Sequence, residues 1–209
     1  MEFEQIDSVE KLRELYGLPM ELVIKKQKTQ LDKFSQQFIE LSPFMLLATS
    51  DNQGNMDCSP RGDHAGFIQI WDDSTIILPD RPGNNRLDSL SNIIENPHVG
   101  LLVLVPGFSE CLRVNGTAKI VTNASVLERC EHQGKLPKSA IVIFIKEIYF
   151  HCAKAITRSK LWEAESRVDR NIMPSLGKIL MAQIDPSKSA EEVKKVEAII
   201  EDRVKNTLY

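Results

Sequence analysis

The chain has 209 residues, 42% hydrophobic and 26% charged, which suits a soluble globular domain with its own core. A net charge of -3 leaves no basic footprint for nucleic acid, and no apolar run reaches the roughly 18 residues a membrane span needs. Neither nucleic acid nor membrane is an expected partner. The start, Met1-Glu2-Phe3-Glu4-Gln5, is acidic and lacks an apolar stretch, so no secretory signal is expected. Cysteines 58, 111, 130 and 152 form no CxxC pair and no zinc spacing. Buried or half-buried free thiols are expected, which fits a reducing cytoplasm.

In chain order, Ser8 is placed to cap a helix from Val9 to Tyr16, stopped by Gly17 and Pro19. A longer helix is expected from Pro19 to Glu40, with Leu31, Phe34 and Phe38 on one face and Lys25-Lys26-Gln27-Lys28 in solvent. Strands then take over: Phe44 to Thr49, Met56 to Arg61, Phe67 to Trp71 and Thr75 to Leu78. After the Pro82-Gly83 turn, Asn84 or Asn85 is placed to cap a helix running to Glu95. Val99 to Val105 and Cys111 to Ile120 read as long strands, Asn123 as the cap of a short helix, and Ala140 to Phe150 as the last strand. Helix returns after Lys154, and the final one, from Ala190 to Asn206, opens with a capping box of Ser189 and Glu192.

Seven short strands with only brief helices between them exclude a βαβ array, because parallel crossovers need a dozen or more residues. The expected class is α+β, mainly β: an antiparallel barrel with helices before and after it. One domain is expected over 1–209, with a helical extension at about 8–40, the barrel at 43–150 and C-terminal helices at 156–206.

Arginines recur where apolar runs end. Arg61 lies in Ser59-Pro60-Arg61-Gly62-Asp63, Arg86 in Asn84-Asn85-Arg86 and Arg113 in Leu112-Arg113-Val114-Asn115-Gly116. In the first turn of its expected helix, Arg86 opposes the helix dipole unless an anion sits between them. Free backbone N–H groups beside an arginine make a phosphate site; an exposed arginine is the alternative. Asp63 and Asp80 are near enough in sequence to neutralise Arg61 and Arg113 as plain ion pairs. His64, His98, His132 and His151 lie on separate expected elements with no metal-ligand spacing, so no metal is expected. Around His151, residues Lys154, Arg158 and Ser159 form a second cationic cluster that reads either as ligand-facing or as a basic surface turn.

The segments SPRGD (59–63), LPDRPGNNRLDSLSNIIENP (78–97), PGFSECLRVNG (106–116) and HCAKAITRSKLW (151–162) resemble the pyridoxamine 5′-phosphate oxidase-like family. More narrowly they are similar to its bacterial FMN-binding split-barrel proteins. The resemblance implies a six-stranded split barrel that dimerises and holds FMN between its subunits. It places Asn84, Asn85 and Arg86 at the phosphate, with Arg61 on the neighbouring strand. It sets Arg113, Lys154, Arg158, Ser159 and Trp162 at further cofactor or active-site positions. The implied activity is that of a cytoplasmic, homodimeric, FMN-dependent oxidoreductase acting on a small molecule. The alternative is a flavin- or haem-binding carrier, sensor or store without turnover. The R-x-V-L-L-K strand and terminal R-x-H pair of the vitamin B6 oxidases are both missing, so their substrate is not assigned. No catalytic residue is identified.

Overall fold

The computed structural model describes residues 3–209; the acidic start at Met1 and Glu2 lies outside them. Ser8 caps α1 (Val9–Tyr16) by accepting the Lys11 N–H at 3.2 Å, and Gly17, at φ 70°, closes it. The single helix expected from Pro19 to Glu40 is instead two, α2 (Glu21–Lys25) and α3 (Lys33–Leu41). Two features break it. Lys28 exchanges backbone hydrogen bonds with Ile148 at 2.9 and 2.8 Å, which takes it out of the helical ladder. Asp32 then starts α3 afresh: its carboxylate accepts the N–H groups of Phe34 and Ser35 while Ser35 Oγ accepts the Asp32 N–H. Lys25 and Lys28 keep their side chains in solvent as expected, but Lys26 belongs to this anchor. Lys26 Nζ donates to the Phe150 carbonyl at 2.7 Å and lies over the Tyr149 ring.

The expected strands all form, their ends shifted by one or two residues: β1 (Phe44–Ser50), β2 (Met56–Gly62), β3 (Gln69–Asp72), β4 (Thr75–Pro79), β5 (His98–Leu104), β6 (Cys111–Val121) and β7 (Ala140–His151). Between them lie α4 (Asp88–Glu95) and α5 (Ala124–Arg129), and after them α6 (Lys154–Ser159), α7 (Leu176–Ile184) and α8 (Ala190–Asn206). All seven strands join one antiparallel sheet in the order β2-β1-β5-β6-β7-β4-β3. That is one strand more than the family resemblance implied. The extra one is the four-residue β3, folded back on β4 by a turn in which Asp72 accepts the Ser74 N–H at 2.8 Å.

The sheet is rolled. Laid flat, β2 and β4 would stand five strand spacings, about 24 Å, apart. Yet Arg61 of β2 reaches Asp80, the residue after β4, at 3.0 Å. The roll stops short of closure, since β2 and β3 remain the edges of the ladder. The result is a split, barrel-like antiparallel sheet. Its lumen is filled by alternate residues of the strands: Met45 and Leu47, Ile76 and Leu78, Leu101 and Val103, Leu112 and Val114, Ile141 and Ile143. Each such side chain contributes roughly 1.5–3 kcal/mol by leaving water, so the barrel wall is the stable frame on which the loops are mounted.

Two polar details fix the helices to this frame. Ser42, fully buried after α3, donates its hydroxyl to the Leu104 carbonyl at 2.7 Å. Along α4, Ser89 donates to Asp57 of β2 at 2.5 Å and Asn92 donates to Thr49 of β1 at 3.1 Å. The start of α4 is thereby pinned beside β2.

At Asn115/Gly116 the register of β6 against β7 shifts by a bulge. A Cβ on Gly116 would fall far inside contact distance of the Phe144 carbonyl oxygen. Backbone cannot move aside as a side chain can, so Gly116→Ala is expected to cost about 1–3 kcal/mol, the usual penalty of overpacking. Thermal or urea unfolding of the variant checks this; wild-type stability would show that the two strands part without strain.

Candidate functional site

One cleft of about 1010 Å³ opens where the sheet is split. Its walls are β2 from Asp57 to Gly62, the loop from Pro79 into the start of α4, the turn from Lys135 to Ser139, and Tyr209. Five cationic residues (Arg61, Arg81, Arg86, Lys135, Lys138) line it against three carboxylates (Asp57, Asp80, Asp88). In a chain of net charge -3 this is a local excess of positive charge. The three carboxylates are already engaged: Asp57 by Ser89, Asp80 by Arg61, and Asp88 by Arg86.

Arg61 carries the most telling detail. Its side chain is 19% exposed and one guanidinium nitrogen, Nη1, binds Asp80 at 3.0 Å. Its Nε is buried and has no hydrogen-bond partner. A buried donor left unpaired costs about 1–3 kcal/mol, and here the donor belongs to a cation on the wall of a positively charged cleft.

The loop from Pro82 to Leu87 differs from its sequence reading. The helix starts at Asp88, not at Asn84 or Asn85, and Leu87 at φ 62° stands in the cap position without a side-chain cap. Asn84 instead accepts the Arg86 N–H at 3.0 Å in a tight turn. Arg86 therefore lies before the first turn, 76% exposed, and pairs with Asp88 at 2.6 Å. That hydrogen bond raises the Arg86 pKa, and the argument from an arginine opposing the dipole lapses, because the acid Asp88 occupies the first turn. The helix starts late because Asn85 and Leu87 both hold left-handed backbone, at φ 58° and 62°. Two such residues without glycine, two positions apart, are costly and tend to occur at functional loops.

The cleft is also lined by an arginine that the sequence did not single out. Arg81 donates to Asp63 at 2.6 Å and to the Cys130 carbonyl at 2.9 Å. The Asp63 side chain is fully buried and also accepts the Tyr209 hydroxyl at 2.6 Å, the His64 backbone N–H at 2.8 Å and His64 Nδ1 at 3.0 Å. Burial alone would push its carboxyl up; the bonds from Tyr209, Arg81 and His64 overcome this and hold it well below the usual carboxylate range. Asp80 thus neutralises Arg61, as the sequence allowed, while Asp63 takes Arg81 in place of Arg61 or Arg113.

His64 and His132 lie on separate elements, as expected, yet the fold brings them together: their rings stack with centroids 4.1 Å apart, beside Asp63. The Asp63 carboxylate beside them is saturated with donors and shared with a guanidinium, which opposes a metal cation there.

Of the nine residues singled out in the sequence, Arg61, Asn84, Asn85 and Arg86 come together on the cleft. The other five lie away from it within one chain. Arg113 is exposed on β6 with its guanidinium over the Tyr149 ring, 5.8 Å from the centroid. Lys154 opens α6 and Arg158 and Ser159 end it, Ser159 bonding the Ile156 carbonyl. Trp162 Nε1 donates to the Phe108 carbonyl at 2.7 Å. The cysteines divide: Cys111 and Cys130 are buried, their thiol pKa values raised mainly by that burial. Cys58 and Cys152 are exposed, contrary to expectation, because Cys58 lies on the open edge strand β2 and Cys152 follows the end of β7.

Residues 31–152, more than half of the chain and the whole of the sheet, match the family model described as pyridoxamine 5′-phosphate oxidase. The chain belongs to this family. No curated protein matches it in sequence. Among solved structures, the chain is similar to HupZ of Group A Streptococcus, at 19% identity over 57% of this chain and 93% of that one, with a TM-score of 0.48. An FMN-binding protein of Syntrophomonas wolfei is 15% identical over 69% and 97%, with a TM-score of 0.43. General stress protein 26 of Bacillus anthracis is 14% identical over 55% and 88%, with a TM-score of 0.42. Likeness at this level assigns no ligand to the family member described here. Among the described residues no helix is long and apolar enough to cross a membrane.

The sequence missed Lys135, Lys138 and Tyr209 as cleft residues. A signal for the lysines existed in Lys135-Leu136-Pro137-Lys138, a basic turn directly before a strand. Nothing local marks Tyr209, which comes 146 residues after its partner Asp63.

Proposed function

We propose that this cleft binds FMN and that the protein is an FMN-dependent oxidoreductase acting on a small molecule as a cytoplasmic homodimer. The carrying observation is the Arg61 Nε, a buried cationic donor without a partner on the cleft wall. A phosphate supplies the acceptor it lacks, through a charge-assisted hydrogen bond. The residues fit that group: Arg61 points into a wall whose carboxylates are already engaged, and Asn84, Asn85 and Arg86 form the adjoining loop. A cleft of about 1010 Å³ lies at the upper end of small-molecule sites, so a substrate fits beside the cofactor.

When bound, the flavin supplies the redox chemistry, accepting and returning a hydride, while the protein positions it. In this reading Arg61 and the 84–86 loop hold the phosphate end. Arg113, Lys154, Arg158, Ser159 and Trp162 serve the flavin of a second copy of the chain. The exposed apolar residues of the N-terminal region, among them Val9, Leu15, Leu18, Met20, Leu22 and Phe34, support such a partner, since monomers rarely leave so much apolar surface in water.

Purified protein is expected to show a flavin absorption spectrum that bleaches on anaerobic addition of NADPH or NADH and returns with oxygen. A flavin spectrum that neither nucleotide bleaches would make the protein a carrier, and a haem spectrum would reject the flavin reading.

A further inference from the structure

Tyr209 is held on the cleft by four separate contacts. Its hydroxyl donates to Asp63 at 2.6 Å, and its main-chain oxygen accepts Lys135 Nζ at 3.0 Å. Its ring lies against His132, centroids 4.8 Å apart, and under the Arg81 guanidinium at 5.4 Å. Two of these partners, Arg81 and Lys135, line the cleft with it.

The element that precedes Tyr209 has little other hold on the sheet. α8 packs on α7, where Gly177 lies against Glu197 and Ser175 hydrogen-bonds the same glutamate. Neither helix packs extensively on any other element. No residue of α8 is buried, and Gly177 is the one buried residue of α7. The pair is thus a hairpin whose attachment to the barrel concentrates at its far end, on Tyr209.

We propose that Tyr209 is a latch that docks the α7–α8 hairpin against the barrel and completes one wall of the cleft, so that hairpin docking and ligand binding strengthen each other. The coupling rests on the FMN reading above; the docking does not. A ligand that fills the cleft prefers the state in which its wall is complete, and by linkage the docked tail must then favour the ligand by the same factor. The Asp63 contact gives the latch its direction. A buried carboxylate that also holds Arg81 gains a donor when the tail docks and loses it when the tail leaves.

Hydrogen exchange and FMN titration of Tyr209→Ala and Tyr209→Phe against wild type test this. Without cofactor, Tyr209→Ala is expected to exchange faster in residues 176–206 and in the 132–138 turn at unchanged core protection. Tyr209→Phe, which keeps the ring contacts and loses the Asp63 bond, falls between. FMN affinity is expected to drop about ten-fold in the alanine variant, within the roughly 5- to 150-fold range of site-to-site coupling, and less in the phenylalanine one. Added FMN slows exchange of both segments most in wild type, less in Tyr209→Phe and least in Tyr209→Ala. Unchanged exchange in cofactor-free Tyr209→Ala overturns the latch. Faster exchange with FMN affinity equal to wild type overturns the coupling. Faster exchange in a protein whose wild type takes up no FMN rejects the flavin reading and leaves the latch standing.

Discussion

Asp63→Ala is expected to destabilise the protein by roughly 3–5 kcal/mol, the cost of removing one partner from a buried ion pair. Arg81 is 13% exposed and would keep its charge with only the Cys130 carbonyl for company. Tyr209 and the His64 N–H would lose their acceptor as well. Against a total stability of 5–15 kcal/mol for a domain, this is the difference between a folded and a marginal protein. The pH dependence has a definite sign. A carboxyl whose folded pKa is depressed adds stability above its unfolded value, about 3.9, and loses it as pH falls toward the folded one. The gap in stability between wild type and Asp63→Asn should therefore be constant above about pH 5 and shrink in stronger acid. Urea unfolding across pH measures it. A gap that stays constant down to pH 2 would show that the Asp63 charge adds nothing.

Arg61→Ala is expected to weaken FMN binding about 10- to 150-fold, the equivalent of one charge-assisted hydrogen bond at 1.5–3 kcal/mol. The substitution also strips Asp80 of its partner, and Asp80 is only 19% exposed. The cofactor-free variant should therefore lose some stability, and Arg61→Ala/Asp80→Ala should recover it without recovering FMN. That double variant separates a ligand contact from a structural pair. Wild-type FMN affinity in Arg61→Ala would make Arg61 purely a partner of Asp80.

The barrel was legible because its strands carry their own signals. Runs such as Val99 to Val105 and Ala140 to Phe150 are apolar and bounded by turns, and they form β5 and β7 with ends moved by a residue or so. Capping chemistry was equally readable at Ser8 and at Ser189 with Glu192, where both helices start as expected. Contacts distant in sequence overrode local pattern elsewhere. Lys28 leaves its helix for a bridge to Ile148, and Lys26 leaves water for the Phe150 carbonyl. Arg61 shares the cleft with Asn84, Asn85 and Arg86 because β2 and the loop after β4 meet when the sheet rolls. The sequence misread how Arg86 sits, since left-handed backbone at Asn85 and Leu87 delays the helix in a way no side-chain pattern announces. Arg81, the better buried of the neighbouring arginines, carries no local signal, since the contacts that bury it, to Asp63 and the Cys130 carbonyl, form only in the folded chain. Tyr209 depends wholly on tertiary structure.

On the proposed reading, the cleft recognises a phosphate-bearing flavin through Arg61 and the 84–86 loop. Paired titrations of cofactor-free protein with FMN and with riboflavin, followed by flavin fluorescence, test it most directly, because the two ligands differ only in the phosphate. FMN should bind at least ten-fold more tightly, since one charge-assisted hydrogen bond of about 1.5 kcal/mol already gives that factor, and the preference should fall as salt is raised. Equal affinities for FMN and riboflavin would contradict the account.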